Sequence, residues 1–251
     1  ASEWDGFFTD DRLRRVVGLA LTGNRSLRAS VAAVERFRAQ YGITQANRFP
    51  ELRGTATASR QGGDTATASD SYTVSLGIAA WEIDLFNRLG SLQGASLARY
   101  LAQQETQRGA RLSLVAQVTD AWLTLSAEGQ RQRLAAELRD SQQRSLDLIE
   151  RQYQLGAASG LQRARAQTAF EAARGEAART AAALRQARLA LELLAGQPLP
   201  DALLPSGQPN EATALPELPG GLPADVLLQR PDLRAAEQLL QAAAFDVGAA
   251  R

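Results

Sequence analysis

The residues best placed to do chemistry are few. Glu82 and Asp84 stand two apart, a carboxylate pair of the kind that can divide acid and base work. On a helix, positions i and i+2 do not share a face, so as a helical pair they do not converge on one atom. They read instead as acids at a junction beside a helix N-terminus. Other candidates fail earlier. The chain has no His and no Cys, which removes the usual imidazole and thiol nucleophiles, bases and zinc ligands. An enzyme would have to rely on carboxylates, Arg, Tyr or Ser; none is expected, and neither is a cofactor or a metal. All 28 basic residues are Arg, set against 27 acids for a formal charge of +1. They form no concentrated basic stripe, so no nucleic-acid partner is expected. Arg230-Pro231-Asp232 is a helix start rather than a site: Pro suits the first helical position, and an acid suits the first turn.

With so little chemistry to position, the elements themselves carry the information. The length of 251 residues allows one large domain or two ordinary ones. Absent Cys fits an oxidising compartment and many cytosolic proteins alike. Met is absent and no charged-then-apolar leader is visible, so the chain reads as a processed or trimmed product. No run of about 18 apolar residues exists. Any membrane crossing would need β-strands, because lipid tolerates only helices and closed barrels.

Thr9 or Asp10 can cap a short helix to about Thr22; Gly23-Asn24 breaks it, and Asn24 or Ser26 caps a second helix to about Arg48. Two stretches of period two follow. "ELRGTATASR" sets Leu52, Gly54, Ala56 and Ala58 against Arg53, Thr55, Thr57 and Ser59. "SYTVSLGIAAW" sets Tyr72, Val74, Leu76 and Ile78 against Thr73, Ser75 and Gly77. These predict strands of about ten residues, the length of a tilted outer-membrane strand, with "QGGDTATASD" as a loop between them. An ordinary half-buried hairpin is the plainer alternative. From Glu82 to about Tyr153 the pattern turns helical, with apolar residues three and four apart: Leu85, Leu89, Leu92, then Leu112, Val115, Val118, Trp122, Leu125, then Leu134, Leu138, Leu146, Ile149 and Tyr153. About 70 residues at about 1.5 Å each predict a rod of roughly 100 Å. "QLGAASGLQ" breaks it at Gly156, and Ser159 caps a return helix from about Gly160 to Leu194. A Pro-rich linker follows.

The chain also repeats itself. A shift of about 206 residues lays Leu21 on Leu227, Asn24 on Arg230, Leu27-Arg28-Ala29 on Leu233-Arg234-Ala235, and Gly42 on Gly248. The helix opening at Pro231 then resumes a climb, beside the rod, that the half-length return helix left unfinished.

At this point the chain resembles the outer-membrane factor family, the TolC-like outer membrane efflux proteins, in the OprM/NodT-type lipoprotein branch that serves tripartite RND pumps. "EWDGFFTDDRL", with Trp4, Phe7 and Leu13, resembles the family's opening segment, and "NRFPEL" its lead into the first strand. "WEIDLFNRLG" resembles the strand-to-rod junction, keeping Trp81, Asp84, Phe86 and Arg88, with Asn87 where Gly is usual. "RQYQLGAASGLQRARAQ" resembles the rod-tip turn, and "RPDLRAAE" a motif of the branch.

The resemblance implies a mainly α fold with a short β-hairpin. Long antiparallel coiled-coil-like helices would form a periplasmic α-barrel, and two strands would join a shared trimeric outer-membrane β-barrel. It divides the chain into residues 1–25 of an equatorial region, an upper helix 26–49, barrel strands 50–81, a long periplasmic helix 82–153, a tip turn 154–160, a return helix 161–195, an equatorial linker 196–225, and the start of a second repeat at 226–251. Tyr72, Val74, Leu76 and Ile78 would face lipid, and Thr73 and Ser75 the lumen. Leu155, Gly156, Ala157, Ala158, Ser159 and Gly160 would dock the adaptor (membrane fusion) protein, where a plain helical turn is the alternative. The implied partners are a homotrimer, the periplasmic adaptor, through it an inner-membrane RND pump, and outer-membrane lipid of a Gram-negative bacterium, with most of the chain in the periplasm. The implied function is a passive export duct for drugs or other small toxic compounds. A periplasmic adaptor or coiled-coil scaffold is the alternative from another class. Metal-ion and protein export remain open within the family.

Overall fold

The computed structural model describes residues 8–63, 66–78, 81–206 and 224–250. Trp4 and Phe7 of the family-like opening segment lie outside them, as does the linker from 207 to 223. The elements run α1 (Asp11–Gly23), α2 (Arg25–Ala46), β1 (Leu52–Gly63), β2 (Ala66–Ile78), α3 (Arg88–Gln154) and α4 (Gly160–Ala195). Two 3₁₀ turns, Asp201–Leu203 and Ala224–Gln229, precede α5 (Pro231–Ala250). The chain forms two compact units, one of residues 1–29 and 110–222, the other of residues 30–109 and 223–251.

In the first unit, α1 starts where Asp10 accepts the Arg12 and Leu13 backbone N–H groups at 2.7 and 3.4 Å. Leu13, Val16, Val17 and Ala20 make one apolar stripe at helical spacing, and all four are buried. They meet Leu114, Val115, Val118, Trp122 and Leu125 of α3 and Leu191 and Ala195 of α4 in a single core. Trp122 is fully buried at its centre, and the Arg12 guanidinium lies 5.7 Å from its ring centroid. Asn24 ties the corner together. Its Oδ1 accepts the Leu27 N–H at 2.9 Å as the α2 cap, and its Nδ2 donates to the Leu194 carbonyl at 2.9 Å. There α4 ends on Gly196, at φ 75°, and a Cβ on Gly196 would collide with the Gly23 carbonyl. Gly196→Ala is therefore expected to cost about 2 kcal/mol from the left-handed backbone alone, with the collision added. A melting temperature in thermal circular dichroism within a degree of wild type would contradict this.

In the second unit, the first turns of α3 pack antiparallel against α5. Pro231 lies by Gly109, Phe245 by Gly94 and Gly248 by Ser91. A Cβ on Gly94 would sit 2.9 Å from the Phe245 ring, so this glycine is there for close approach. Arg99 and Asp246 pair across the contact. The interior is made of small residues: Ala95, Ala98, Ala102, Ala235 and Ala242 are buried. Strands β1 and β2 form a two-stranded antiparallel sheet.

The structure differs from the sequence expectations at four places. The long helix opens at Arg88 rather than 82, because residues 82–87 are used to turn the chain into it; Leu85 precedes the helix and is exposed. The expected loop "QGGDTATASD" is mostly strand: Gln61 pairs with Ser69, and Gly63 with Ala66 across a register shift. Only its residues 64 and 65 lie outside the described residues. The apolar seam of α3 is buried between Leu114 and Leu125, whereas Leu112, Leu134, Leu138 and Tyr153 are exposed. Finally, the repeat implies a short helix before Arg230 as α1 stands before Asn24, and that element, Ala224–Gln229, is a six-residue 3₁₀ turn. The breaks themselves agree: α2 opens at Arg25 and α5 at Pro231, one repeat apart.

Candidate functional site

Three places gather the singled-out residues. The first is the hairpin. Its register pairs Leu52 with Ile78, Gly54 with Leu76, Ala56 with Val74, and Ala58 with Tyr72. Period two therefore puts the apolar residues of both strands on one face, and Thr55, Thr57, Ser59, Ser71, Thr73 and Ser75 on the other. The apolar face is bare: Val74 is 84% exposed, and Leu76, Tyr72, Leu52 and Ile78 are close behind. At the far end Arg60 and Asp70, on that same face, form an ion pair at 3.5 Å.

The second is the junction. The Trp81 indole N–H donates to the Arg48 carbonyl at 3.2 Å and fixes the end of β2 to the end of α2. Asn87, at φ 57°, takes the left-handed conformation that Asn tolerates, so the position where the family pattern has Gly keeps its backbone turn. Asp84 then reaches past it to the first turn of α3, accepting the Gly90 N–H at 3.0 Å. Glu82 pairs with Arg88, whose Nε donates at 2.9 Å. Glu82 and Asp84 thus serve opposite partners and share no substrate position. Phe86 is 91% exposed.

The charges here are set by these bonds. The Arg88 hydrogen bond holds the Glu82 carboxyl below the ordinary range. Desolvation pushes Asp84 up, but the N–H groups of Gly90, Leu89 and Arg88, with the Arg48 charge, outweigh it and hold it low. A depressed carboxyl stabilises the fold above its unfolded pKa of about 3.9, and that stability is lost as pH falls through the lower folded value. The start of α3 should accordingly exchange its amide hydrogens faster as pH drops below about 4, after correction for intrinsic rates. Asp84→Asn should flatten that response. An unchanged pH response in the variant would contradict the assignment.

The third is the tip. Gln154 and Gly160 are still helical, and residues 155–159 turn the chain. The Ala157 N–H donates to the Gln152 carbonyl at 2.8 Å and Gly156 N–H to Tyr153 at 3.0 Å, a Schellman closure around Gly156 at φ 75°. Ser159 and Gln162 then exchange hydrogen bonds at 3.2 and 2.7 Å to cap α4. Arg163 clamps the two arms, pairing with Glu150 at 2.7 Å and lying 5.2 Å from the Tyr153 ring centroid. At the end of this rigid turn Leu155 is 85% exposed. Arg230 and Asp232 pair with each other at 2.7 Å at the start of α5, as a helix-start pair would.

The outer membrane efflux protein profile matches residues 16–197. The chain belongs to the outer membrane efflux protein family. It is 37% identical over 256 residues to the outer membrane protein OprJ of Pseudomonas aeruginosa, covering 99% of this chain and 53% of OprJ. It is 34% identical to the cation efflux system protein CusC of Escherichia coli K12, covering 99% of this chain and 54% of CusC. A crystal structure of a membrane protein from Pseudomonas aeruginosa superposes with a TM-score of 0.86 at 37% identity, over 99% of this chain and 59% of that one. A CusC crystal structure gives 0.82 at 33% identity, over 100% and 58%. The fold is that of these outer membrane channels. The chain spans about half the length of the curated relatives it matches. Among the described residues no helix is long and apolar enough to cross a membrane.

Sequence reading placed Glu82 and Asp84 as acids beside a helix N-terminus; what it missed is that the helix opens only at Arg88, after Asn87 turns the chain. The signal was available: an Asp three residues before an Asn, with Gly six beyond the Asp, is helix-start chemistry.

Proposed function

We propose that this chain is part of the outer-membrane channel component of a tripartite RND-type efflux system. It provides a passive export duct for drugs or other small toxic compounds, with energy supplied by the inner-membrane pump. The observation that carries this reading is the hairpin register: strands of 12 and 13 residues with every large apolar side chain on one bare face and hydroxyls on the other. Such a sheet has two open edges and an apolar face, and a closed barrel in lipid satisfies both. A scaffold or adaptor has no use for it. The assembly is a homotrimer whose subunits share that barrel, with Tyr72, Val74, Leu76 and Ile78 toward lipid and Thr73 and Ser75 toward the lumen. Relatives bear the names of antibiotic, toluene and cation efflux components. A hydroxyl-lined wall suits such a duct, since it holds no solute tightly.

The tip from Leu155 to Gly160 is the adaptor-docking surface. Its exposed leucine and small residues allow a partner backbone to approach closely. Gly156 is a poor test position, because its left-handed φ strains any side chain there. Ala157 is the clean one: Ala157→Trp should weaken adaptor binding about tenfold and lower drug resistance, with assembled trimer unchanged. Unchanged resistance and adaptor affinity would sink the docking assignment.

A further inference from the structure

The second unit holds a concave surface to which the function above gives no role. At the base of the hairpin an open cleft of about 630 Å³ is bordered by Phe49, Pro50, Glu51, Trp81, Glu82 and Leu89. Among the described residues that border it, the charged ones are Glu51 and Glu82. Its aromatic walls are accessible, with Phe49 69% and Trp81 46% exposed. The indole is held in place by its bond to the Arg48 carbonyl. Glu51 pairs at 3.2 Å with Arg53, which lies in register with Thr55 and Thr57 on the hydroxyl face of β1. That pair sets the Glu51 carboxylate on the hydroxyl side of the hairpin, away from the apolar face.

We propose that this cleft is a weak subsite for organic cations with an aromatic or apolar body. Aromatic faces attract a cation through the ring quadrupole, two carboxylates supply the countercharge, and Leu89 with Pro50 receives the apolar part. An organic anion of the same shape gains nothing from the negative ring faces and finds Arg53 and Arg88 already engaged by Glu51 and Glu82. Each carboxylate already has an arginine partner, Arg53 for Glu51 and Arg88 for Glu82, so the incoming cation competes with an existing pair. Binding is weak for that reason, as a conduction path requires: favourable enough to enter and loose enough to leave. The inference rests on the hydroxyl face being the lumen side.

The test uses the assembled protein in detergent, with benzyltrimethylammonium and benzenesulfonate as matched probes, followed by ligand-observed NMR. The cation should bind with Kd on the order of millimolar, and the sulfonate should show no saturable binding. Glu51→Gln should weaken the cation about fivefold, the scale of one exposed ion pair, and Phe49→Ala should weaken it as well. Glu51→Gln touches only an exposed pair on Arg53, so it keeps the test valid if Glu82→Gln disturbs the junction. Equal binding of both probes, no binding of either, or cation binding indifferent to Glu51→Gln and Phe49→Ala would overturn the proposal. Saturable binding is read without a membrane, so its failure is distinct from a failure of the barrel reading, which the labelling pattern along β2 decides.

Discussion

Val74→Arg is expected to abolish stable insertion of the protein in the outer membrane, while Thr73→Arg, one residue away, leaves insertion intact. Val74 is paired with Ala56 near the middle of the apolar face and points into open space. A charged residue on the lipid face of a β-barrel costs about 2–4 kcal/mol at the bilayer midplane. In the proposed trimer the change is made three times, so the total reaches about 6–12 kcal/mol, comparable to the whole stability of an ordinary domain. Thr73 lies on the hydroxyl face, the proposed lumen side, where a substitution alters conduction rather than insertion. The measurement is the amount of heat-modifiable trimer recovered in the outer-membrane fraction. Equal recovery of the two variants would contradict the facing of the strands.

The second large effect lies in the first unit. Trp122→Ala should destabilise it by about 3–5 kcal/mol, because the residue is fully buried at the meeting point of α1, α3 and α4. Few neighbours can close the gap: Val16, Val17 and Leu13 are themselves fully buried on a short helix held at both ends by Asp10 and Asn24. Trp122→Phe should cost less than Trp122→Ala. The indole Nε1 has no hydrogen-bond partner among the described residues, so that replacement loses volume without leaving one of them stranded. Amide hydrogen exchange along α1 gives the direct reading. Protection of Val16 and Val17 should collapse in Trp122→Ala, and unchanged protection would show that the core does not depend on this side chain.

Much of this was legible in the residues. Strand alternation at Tyr72, Val74, Leu76 and Ile78 is a local period, and the paired register confirms it as one face. The repeat placed Asn24 and Arg230 as equivalent helix starts, and α2 and α5 each open one residue after them, at Arg25 and Pro231. What was not legible came from longer-range causes. "QGGDTATASD" has the composition of a loop, but the strands pair into it, Gln61 with Ser69 and Gly63 with Ala66 across a register shift, because pairing satisfies backbone groups that a loop leaves to water. The rod was given its start too early because Leu85 and Leu89 stand at helical spacing; a left-handed Asn87 and a capping Asp84 override that spacing. Leu134 and Leu138 continue the apolar seam in sequence, yet they are exposed in the single chain. Periodicity reports that a side chain prefers burial, and not what buries it.

The central claim, that the hairpin stands in lipid as part of a channel wall, is tested most directly by spin labels placed one at a time along residues 71–78 of the membrane-reconstituted protein. The chain contains no Cys, so each engineered cysteine in it is unambiguous. Positions 72, 74, 76 and 78 should collide with oxygen dissolved in the bilayer, and positions 71, 73, 75 and 77 with a water-soluble nickel chelate, in strict alternation. Labels that meet the nickel chelate equally at even and odd positions would contradict it.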